Sequence, residues 1–544
     1  MFVTIIFDTE YMGMYERHKW FMKNLSHAKA NNWLVITHEF LNQHYHDYTS
    51  HCAERFYDEF EMQKLNDAEY ENICKGFVPD ELFTEKEREK GSRSEFLAFL
   101  FQERYLELEQ CLIFMIDAEL EKRPGERVEG IFNCLDCFKS IKCLGEYYHC
   151  PVIPYVFSAI RKVHGYQQTL YMTSMDGSLF SSDDGMRRYR DFQNEKAEEL
   201  FFSRRELLTL LGKENNIPLL KLLNAAPVYE MGICAEAYHV NHNYLKYKYT
   251  DDDIYYECRQ KFSTEQIKTR IHPMTYDSMG IGRESLKNDP VSFILSCKRV
   301  SSVQSQMLLK AMLWNRTVYM KSDFLQLSFL CEKDIESTDK VDTNSLNYYI
   351  WGFLIPSDCM FDVEYWRWRI NEKPSEHEIY NRHLSHVLKC LGLNACELSE
   401  YTDEEARFTY LLKNRRCSQE LIDDLLDKTI PEHINYDVLY SRLEFGKEQM
   451  IRHSMNCINQ YLNGKVYSRF VIDCKEQADF LKFYPFVDVG GKAKINNIQI
   501  DGICVLNKEN YVYYPKAGGY EKCNHIEVTP GKHVINVEWE YSSN

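Results

Sequence analysis

The sequence predicts two α/β domains, followed by a helical segment and a small C-terminal all-β module. Strand-like apolar runs alternate with amphipathic helices over roughly residues 1–340, and such alternation is typical of parallel sheets covered on both faces. From residue 341 to 464 the apolar spacing is mostly helical, and from residue 465 apolar and polar residues alternate. We therefore expect domains at 1–190, 191–340, 341–464 and 465–544.

The first domain is expected to contain strands at residues 2–7, 33–37, 130–134 and 152–157. Long helices join them. The clearest covers residues 93–110, where apolar side chains recur at the 3.6-residue spacing of an amphipathic helix. Alternating strands and helices predict a parallel sheet for this domain.

The second domain is expected to begin with a strand at residues 228–236. A helix then covers residues 250–262, with Thr250 as its N-cap and three acidic residues in its first turn. The stretch from 267 to 320 is the most informative part of the chain. The pattern predicts a strand over IKTRIHP and a buried strand around Phe293. A serine-rich turn, a helix over 303–315 and a strand at Val318 are expected to follow.

Two strand ends in this stretch carry polar groups suited to a nucleotide. A βαβ unit places backbone N–H groups and small hydroxyls at a helix N-terminus, where a phosphate binds favourably. The ligand crevice of an open α/β sheet lies at the carboxyl ends of its strands. Both His272 and the serine-rich turn after residue 300 are expected at such ends, which predicts a nucleotide site there.

Composition narrows the classes of ligand and of cellular location. The chain of 544 residues has 44% hydrophobic and 27% charged residues, which is typical of a globular protein. Its formal net charge of −17 comes without a basic block, which argues against nucleic acid as the main ligand. The N-terminal residues do not resemble a secretory signal, so the 19 cysteines are expected to be reduced thiols in a cytoplasmic protein.

Two segments resemble the GT-B glycosyltransferases, particularly bacterial enzymes that build capsule or lipopolysaccharide chains. AMLWNRTV at 311–318 stands where such enzymes carry a segment resembling ALLWGKPV, after a strand ending in His-Pro and a serine-rich turn. PVIPYVFSAIRKVHGYQQTLY at 151–171 is similar to the last strand and the Arg-containing cleft loop of their first domain. Asn315 and Thr317 replace the Gly and Pro of that motif, and Lys310 replaces a frequent acidic residue.

The resemblance implies two Rossmann-like domains facing a cleft, over roughly residues 1–335. It also implies transfer of a sugar from a nucleotide-activated donor to a glycan or lipid-linked glycan, with no cofactor and no metal ion. A lipid-linked acceptor would bring peripheral contact with the inner face of the membrane. The acceptor would bind near Arg161 and His164. The donor would bind His272, Pro273, Ser301, Ser302, Ser305 and Gln306.

Each of these residues also has a purely structural interpretation. In this alternative interpretation, His272 is a structural histidine at a strand end and Arg161 belongs to a surface ion pair. Ser301 and Ser302 would then cap a helix, which is compatible with phosphate binding. Catalysis by inversion needs a general base near the acceptor hydroxyl. Asp8, Glu236 and His272 are the candidates, although each acid is also a common cap or surface residue.

Two further patterns suggest metal sites but have simpler explanations. Asp251, Asp252 and Asp253 form a DxD-like run, yet acids at a helix start complement its dipole. A zinc site could be drawn from Cys134, Cys137, Cys143, His149 and Cys150. Their irregular spacing and apolar neighbours favour buried thiols.

Two other functions stay open at this stage. A nucleotide-sugar epimerase shares the fold and the nucleotide cradle, but needs no acceptor. A glycan-binding protein would use the β module at 465–544 for recognition and the α/β part as a scaffold. The sequence has no GxGxxG, GxxxxGK[ST] or GxSxG motif, which argues against dinucleotide enzymes, P-loop NTPases and α/β-hydrolases.

Overall fold

The structure is a computed structural model. It describes residues 1–7, 14–50, 52, 54–134, 138–162, 166, 168–179, 181–195, 199–212, 214–235, 249–270, 290–323, 325–427, 440–447, 451–462, 465–485, 491–505, 513–514 and 526–543.

The strands of these ranges are numbered in chain order. They are β1 (Phe2–Ile6), β2 (Leu34–His38), β3 (Lys75–Val78), β4 (Gly130–Cys134), β5 (Val152–Phe157), β6 (Leu170–Thr173), β7 (Tyr229–Cys234), β8 (Ile267–Arg270), β9 (Cys297–Ser301), β10 (Thr317–Tyr319), β11 (Ile355–Pro356), β12 (Tyr440–Lys447), β13 (Ile451–Leu462), β14 (Lys465–Cys474), β15 (Phe480–Pro485), β16 (Gly491–Ile500), β17 (Ile503–Cys504), β18 (Tyr513–Tyr514) and β19 (Gly531–Ser543).

The helices are identified by their bounds. The α-helices are Met14–Asn31, Glu39–Gln43, Tyr45–Ser50, Glu54–Glu59, Asp67–Glu71, Asp80–Lys90, Arg93–Gln102, Leu106–Glu121, Lys139–Tyr148, Asp183–Asn194, Arg204–Leu211, Asp251–Arg259, Pro290–Ser296, Met307–Leu313, Thr343–Asn347, Ser357–Met360, Val363–Arg367, Glu376–Cys390, Ala395–Ser399, Glu404–Asn414 and Gln419–Leu426. The 3₁₀ helices are Glu214–Leu222, Thr264–Gln266 and Gln326–Leu330. The π-helices are Tyr348–Phe353 and Trp368–Glu372. In this part of the chain no helix is long and apolar enough to cross a membrane.

The first sheet has the strand order β11-β6-β5-β4-β1-β2-β3. Strands β1 to β5 pair in parallel, whereas β6 and β11 add an antiparallel edge. The four strands predicted for the first domain are confirmed as β1, β2, β4 and β5. Nearly every residue of these strands is buried, as expected for a sheet covered on both faces.

The helix predicted over 93–110 is two helices, Arg93–Gln102 and Leu106–Glu121. The chain becomes extended at Glu103, and the buried Tyr105 then makes tertiary hydrogen bonds. The Tyr105 N–H donates to Ser140 Oγ (2.7 Å), and the phenol donates to the Leu82 carbonyl (2.7 Å). The sequence prediction was wrong here because those contacts, not local periodicity, end the first helix.

The second sheet is parallel throughout, with the order β10-β9-β7-β8. The predicted first strand is confirmed as β7, and the predicted helix after Thr250 is confirmed at Asp251–Arg259, with Thr250 as its N-cap. The prediction of a strand around Phe293 is wrong. Pro290–Ser296 is a helix with proline at its first position, and the strand begins only at Cys297.

The segment that resembles ALLWGKPV forms a short helix and an edge strand. Met307–Leu313 is helical, which is shorter than the predicted 303–315, and β10 follows. Asn315 lies between them with φ of 59°. Asparagine tolerates this left-handed conformation better than most residues, so it can stand where the motif has glycine.

One hydrophobic core joins the second sheet, the helical segment and one edge of the first sheet. It contains Leu170 and Met172 of β6, Val300 of β9, and Tyr380 and Leu384 of the Glu376–Cys390 helix. The core therefore crosses the positions of the predicted boundaries at residues 190 and 340.

The C-terminal β structure begins earlier than predicted. Strands β12 and β13 lie within residues 440–462, which we expected to be helical, and pair antiparallel in an eight-stranded sheet with β14 to β19. Leu443 and Phe445 enter the core of this sheet and alternate with polar residues. This short period-two signal was hidden because the charged residues around it are also common in helices.

Candidate functional site

The turn after β9 is shaped by the hydroxyl groups of two serines. Ser302 Oγ donates to the carbonyl oxygen of Cys234 (2.7 Å), which ties the carboxyl ends of β9 and β7 together. Ser302 Oγ also accepts a hydrogen bond from the N–H of Ser305 (3.2 Å), and Ser305 Oγ accepts one from the N–H of Met307 (3.3 Å). Serine hydroxyls commonly organise turns and helix starts in this way. Ser302 and Ser305 therefore have structural partners in addition to their predicted role in donor binding.

Most of the N–H groups at the start of the following helix also have partners. The N–H groups of Leu308 and Leu309 donate to the carbonyls of Ser305 and Gln306, each at 3.2 Å. Together with the N–H groups of Ser305 and Met307, they are engaged within the turn. Phosphate binding by this helix start stays a prediction, although four of the N–H groups near it already have partners within the turn.

Four side-chain oxygens around this turn lack a hydrogen-bond partner among the described residues. They belong to Thr173, Ser301, Gln306 and Gln326, which we call the polar seam. Gln306 Nε2 contacts Met172 Sδ of β6 (2.6 Å), and Gln326 Nε2 donates to the Thr173 carbonyl (3.0 Å). These contacts bring the turn of the second sheet against β6 of the first.

Oxygens of the polar seam that lack a hydrogen-bond partner lower the free energy of unfolding. Ser301 and Gln326 are 0% exposed and Thr173 is 2% exposed. A buried polar group without a partner costs about 1–3 kcal/mol, and most such groups in native proteins are satisfied. Ser301 lies at the carboxyl end of a parallel strand, where α/β proteins bind ligands, so a ligand or ordered water there would complete its hydrogen bonding.

The basic residues just before the turn serve the fold. Arg299 is buried, and its guanidinium donates to Glu230 Oε2 (2.7 Å) and to the carbonyls of Ser337 and Glu336 (2.7 Å each). Lys298 also pairs with Glu230, at 3.4 Å. Both cations therefore have partners within the protein.

Several predicted site residues lie outside the described residues, namely Asp8, His164, Glu236, His272 and Pro273. Their assignments stay predictions. Cys137 is also outside, so the suggested cysteine cluster cannot be assembled from the described chain. The described cysteines are thiols, and Cys134 is buried at the end of β4.

On the first-domain side, Arg161 is held at the end of β5. Its Nε donates to the carbonyl of Ser158 (2.8 Å), and its guanidinium lies over the Phe157 ring, 5.1 Å from the ring centroid. The same loop supplies Lys162, whose ammonium pairs with Asp58 at 2.8 Å. Arg161 is thus packed on an aromatic ring and keeps part of its side chain exposed.

A cavity of about 600 Å³, which we call the polar cavity because most of its lining residues are polar or charged, lies next to this loop. Ligand pockets typically measure about 300–1,000 Å³. The cavity adjoins the C-terminal half of the Met14–Asn31 helix and the start of the Ser357–Met360 helix. Its lining includes His27, Tyr57, Glu61, Lys162, Gln168 and Asp358.

Three polar atoms of this lining lack a hydrogen-bond partner among the described residues: His27 Nε2, Tyr57 Oη and Glu61 Oε2. Burial raises the pKa of Tyr57 to about 12, so its phenol stays protonated and can donate. Glu61 has φ of 51°, and its other carboxylate oxygen accepts the N–H of Thr169 (3.4 Å). These three atoms are buried, although the residues that carry them line the cavity.

Lys23 is buried next to Glu61. Lys23 Nζ donates to the carbonyls of Phe60 (2.6 Å) and Glu61 (3.3 Å) and lies over the ring of Phe361, 5.2 Å from its centroid. Burial lowers the pKa of this ammonium to about 8, against the opposing effect of the Glu61 carboxylate. The cation thus holds the backbone that presents Glu61.

His27 should make stability depend on pH. Burial, assisted by the Lys23 charge, lowers the pKa of His27 to about 3, and its ring stacks on Phe361 at 4.0 Å. Between pH 6.5 and about 3 the unfolded chain binds a proton at His27 that the folded chain does not. The free energy of unfolding should therefore fall as pH falls through this range. His27→Phe, which keeps an aromatic ring, should show a shallower decline in melting temperature.

The control for this experiment is His46→Gln, since His46 is largely exposed. Melting curves of the wild type and both variants are compared from pH 7 downward. If His27→Phe follows the wild-type pH profile and His46→Gln does not, buried His27 is not the titrating group.

Sequence patterns did not reveal Tyr57, Glu61 or His27 as site residues. They come from different helices and loops, and nothing in their spacing marks them. The polar seam was found only in part, since Ser301 and Gln306 were predicted but Thr173 and Gln326 were not. The missing pair comes from β6 and from the Gln326–Leu330 helix, which reach the turn only in the folded chain.

No family model matches the sequence, and no curated protein matches it. Among solved structures, the chain is similar to KpsC of Thermosulfurimonas dismutans, a beta Kdo 2,7 transferase, with TM-score 0.28, 10% identity and coverage of 45% of this chain and 82% of that one. The KpsC beta Kdo 2,4 transferase of the same organism gives TM-score 0.26, 11% identity and coverage of 36% and 68%.

A third similar structure is the UDP-GlcNAc 2-epimerase of Methanocaldococcus jannaschii, in complex with UDP-GlcNAc and UDP. It gives TM-score 0.23, 12% identity and coverage of 60% of this chain and 86% of that one. TM-scores this low fall short of a shared fold, so the function has to be argued from the residues of this chain.

Proposed function

We propose that this protein is a GT-B-type glycosyltransferase, which transfers a sugar from a nucleotide-activated donor to a growing glycan. The glycan would be a bacterial surface polysaccharide such as a capsule or lipopolysaccharide chain. The proposal places the enzyme in the cytoplasm, with peripheral contact at the inner face of the membrane where its acceptor is lipid-linked.

The observation that carries this proposal is the polar seam beside β9. Ser301 ends a central strand of a parallel sheet, at the edge where α/β proteins bind ligands. Its hydroxyl and the side-chain oxygen of Gln306 have no partner among the described residues. Groups of this kind can bind the hydroxyls and amides of a nucleotide sugar. Ser302 and Ser305 would then shape the turn and contact the donor through the remaining capacity of their oxygens.

In the reaction, the bond between the anomeric carbon and the phosphate oxygen breaks, and a bond to the acceptor oxygen forms. Negative charge develops on the leaving phosphate and has to be stabilised by hydrogen-bond donors or cations. The proposal assigns that role to His272 and to polar groups of the turn, without a cofactor or metal ion at the donor. The acceptor hydroxyl loses its proton to a general base, for which Asp8 and Glu236 are proposed.

The acceptor would bind on the first-domain side. Arg161 precedes Lys162, which lines the polar cavity together with Gln168, and His164 stands between these two lining residues in the sequence. Tyr57 and Glu61 line this cavity and carry a phenol and a carboxylate, which are groups that pair with sugar hydroxyls, since these both donate and accept hydrogen bonds. We propose this cavity as part of the acceptor site.

The test is a thermal-shift screen of the full chain with UDP, GDP, CMP, dTDP and ADP, with and without Mg²⁺. A ligand present at 100 times its dissociation constant adds roughly 2.7 kcal/mol to stability. We expect one nucleotide to raise the melting temperature. Ser301→Ala and Gln306→Ala should reduce this shift. Ser301→Ala should also stabilise the unliganded protein slightly, because it removes a buried hydroxyl without a partner.

The matched control is Ser296→Ala, at the last residue of the helix that directly precedes the same strand. Ser296 is 1% exposed, and its hydroxyl donates to the Phe293 carbonyl (2.7 Å). This variant should keep the full nucleotide shift. If no nucleotide stabilises the wild type, the glycosyltransferase proposal fails. Glycan binding without any nucleotide response would favour a scaffold, and turnover of a donor without an acceptor would favour an epimerase.

A further inference from the structure

Three side chains that commonly bind metal ions converge in the helical segment. Asp358 lies in the Ser357–Met360 helix, whereas His386 and Cys390 lie in the Glu376–Cys390 helix. His386 Nε2 is 3.2 Å from Asp358 Oδ2 and 3.7 Å from Cys390 Sγ. All three atoms lie within 4.8 Å of one another, and among the described residues this is the one group that meets that criterion.

These separations match the edges of a tetrahedral zinc site. Zinc lies about 2.0–2.2 Å from nitrogen and oxygen ligands and about 2.3 Å from sulfur. At the tetrahedral angle, such bonds place nitrogen about 3.3 Å from oxygen and about 3.6 Å from sulfur. The observed 3.2 and 3.7 Å agree with both values. The separations of His386 from Asp358 and from Cys390 are therefore already those of ligands of one ion, and the Asp358 and Cys390 atoms lie within 4.8 Å of each other.

A hydrogen-bonded arrangement explains this convergence less well. The same ring nitrogen, Nε2 of His386, faces both the carboxylate and the thiol. One N–H proton can make only one well-aligned hydrogen bond. A cation bound to that nitrogen would instead lie near the oxygen and the sulfur together. The set of carboxylate, imidazole and thiolate is also one that Zn²⁺ accepts.

The helix that carries two of the ligands is firmly positioned. His386 and Cys390 are four residues apart, which places them on one face of the helix. One turn before them, His383 is 0% exposed, and its ring nitrogens contact the Trp351 carbonyl (2.8 Å) and the Tyr365 hydroxyl (2.7 Å). The ligand face is thus fixed by the core, while Cys390 itself is exposed and open to an ion from solvent.

We propose that Asp358, His386 and Cys390 form a binding site for Zn²⁺ or a divalent ion of similar preference. Three protein ligands leave one coordination position open, for water or for another oxygen ligand. Asp358 also lines the polar cavity, so the ion would lie at the edge of that cavity. On binding, the Cys390 thiol releases its proton to solvent, because the thiolate is the ligand. The proposal is independent of the nucleotide site.

The decisive test measures alkylation of individual cysteines by mass spectrometry of the reduced full-length protein. Cys396 is an internal control, since it is also exposed but lies on the Ala395–Ser399 helix and is not one of the proposed ligands. Zn²⁺ should slow the alkylation of Cys390 by tenfold or more and leave the rate at Cys396 unchanged. Equal rates at Cys390 with and without Zn²⁺ would overturn the proposal.

A second measurement uses the variants Cys390→Ser and His386→Ala, with Cys396→Ser as the matched control. Metal content is determined by titration with Co²⁺ and Zn²⁺ against a chromophoric chelator. Both ligand variants should bind one equivalent less than the wild type, and Cys396→Ser should bind the same amount. Wild-type stoichiometry in both ligand variants would overturn the site, even if the protein binds metal elsewhere. All three substitutions are at exposed or half-exposed positions, so folding should be retained.

Discussion

Replacing Glu376 by Ala is expected to lower the free energy of unfolding by about 3–5 kcal/mol, because it leaves a buried guanidinium without its carboxylate. Arg188 is 5% exposed, and its Nε and one terminal nitrogen each donate to Glu376 at 2.9 Å. The same guanidinium donates to the Gly352 carbonyl (3.0 Å), and the Tyr348 hydroxyl donates to Glu376 (3.0 Å). The pair therefore joins the Asp183–Asn194 helix to two helices of the helical segment.

The electrostatics of this pair agree with its ionised form. Burial by itself raises the pKa of Glu376, but the Arg188 charge holds that pKa below its ordinary value. The control is Glu404→Ala, which breaks the ion pair between Glu404 and Arg205 (3.0 Å). The Glu404 side chain is half exposed, so this pair is a surface pair. That change should cost no more than about 1 kcal/mol. Urea unfolding followed by tryptophan fluorescence measures both, and equal losses would show that the buried pair does not stabilise the fold as proposed.

Trp366→Ala is expected to lower the free energy of unfolding by about 3–5 kcal/mol, the usual cost of truncating a buried tryptophan. Trp366 is 0% exposed, and its indole N–H donates to the Met360 carbonyl (2.7 Å). Its ring packs edge-on against Phe132 of β4, with centroids 5.2 Å apart. The substitution thus removes a contact between the helical segment and the centre of the first sheet.

Two further variants test whether the loss of stability in Trp366→Ala comes from the packing of the buried ring. Trp366→Phe keeps much of the ring volume and loses the indole hydrogen bond, so it should cost less than Trp366→Ala. Trp368→Ala removes a half-buried tryptophan that stacks on Arg382 (4.2 Å), and should also cost less. If Trp368→Ala were as destabilising as Trp366→Ala, the docking of the segment would not depend on the buried ring.

Much of the α/β architecture could be predicted from the sequence. Strands β1, β2, β4, β5 and β7 were located correctly because each is a short apolar run between polar turns. The helix after Thr250 was found from its N-cap and the acids that follow it. These signals are local, since a strand or a capped helix is recognisable within a few residues.

Predictions failed where two local interpretations were nearly equal. The run at Pro290–Ser296 is apolar enough for a buried strand, but it is a buried helix. Periodicity cannot separate these alternatives over so few residues. The strands β12 and β13 were missed for a similar reason. Their apolar residues alternate with polar and charged residues that are also common in helices.

For the candidate site, the sequence alone indicated the turn after β9, through Ser301, Ser302, Ser305 and Gln306. It could not indicate which of their polar atoms have partners, because Ser302 is satisfied by Cys234, 68 residues away in the chain. The His386 and Cys390 spacing is visible in the sequence, but Asp358 joins them only through folding, 28 residues before His386.

The sequence by itself therefore determined the order of strands and helices and the position of one strand-end turn, because periodicity, caps and turn residues act over short distances. Only the tertiary structure decided which oxygens of the polar seam stay without partners, which residues line the polar cavity, and which carboxylate joins His386 and Cys390. Those properties depend on contacts between distant segments, and each such contact is set by how whole helices and strands pack.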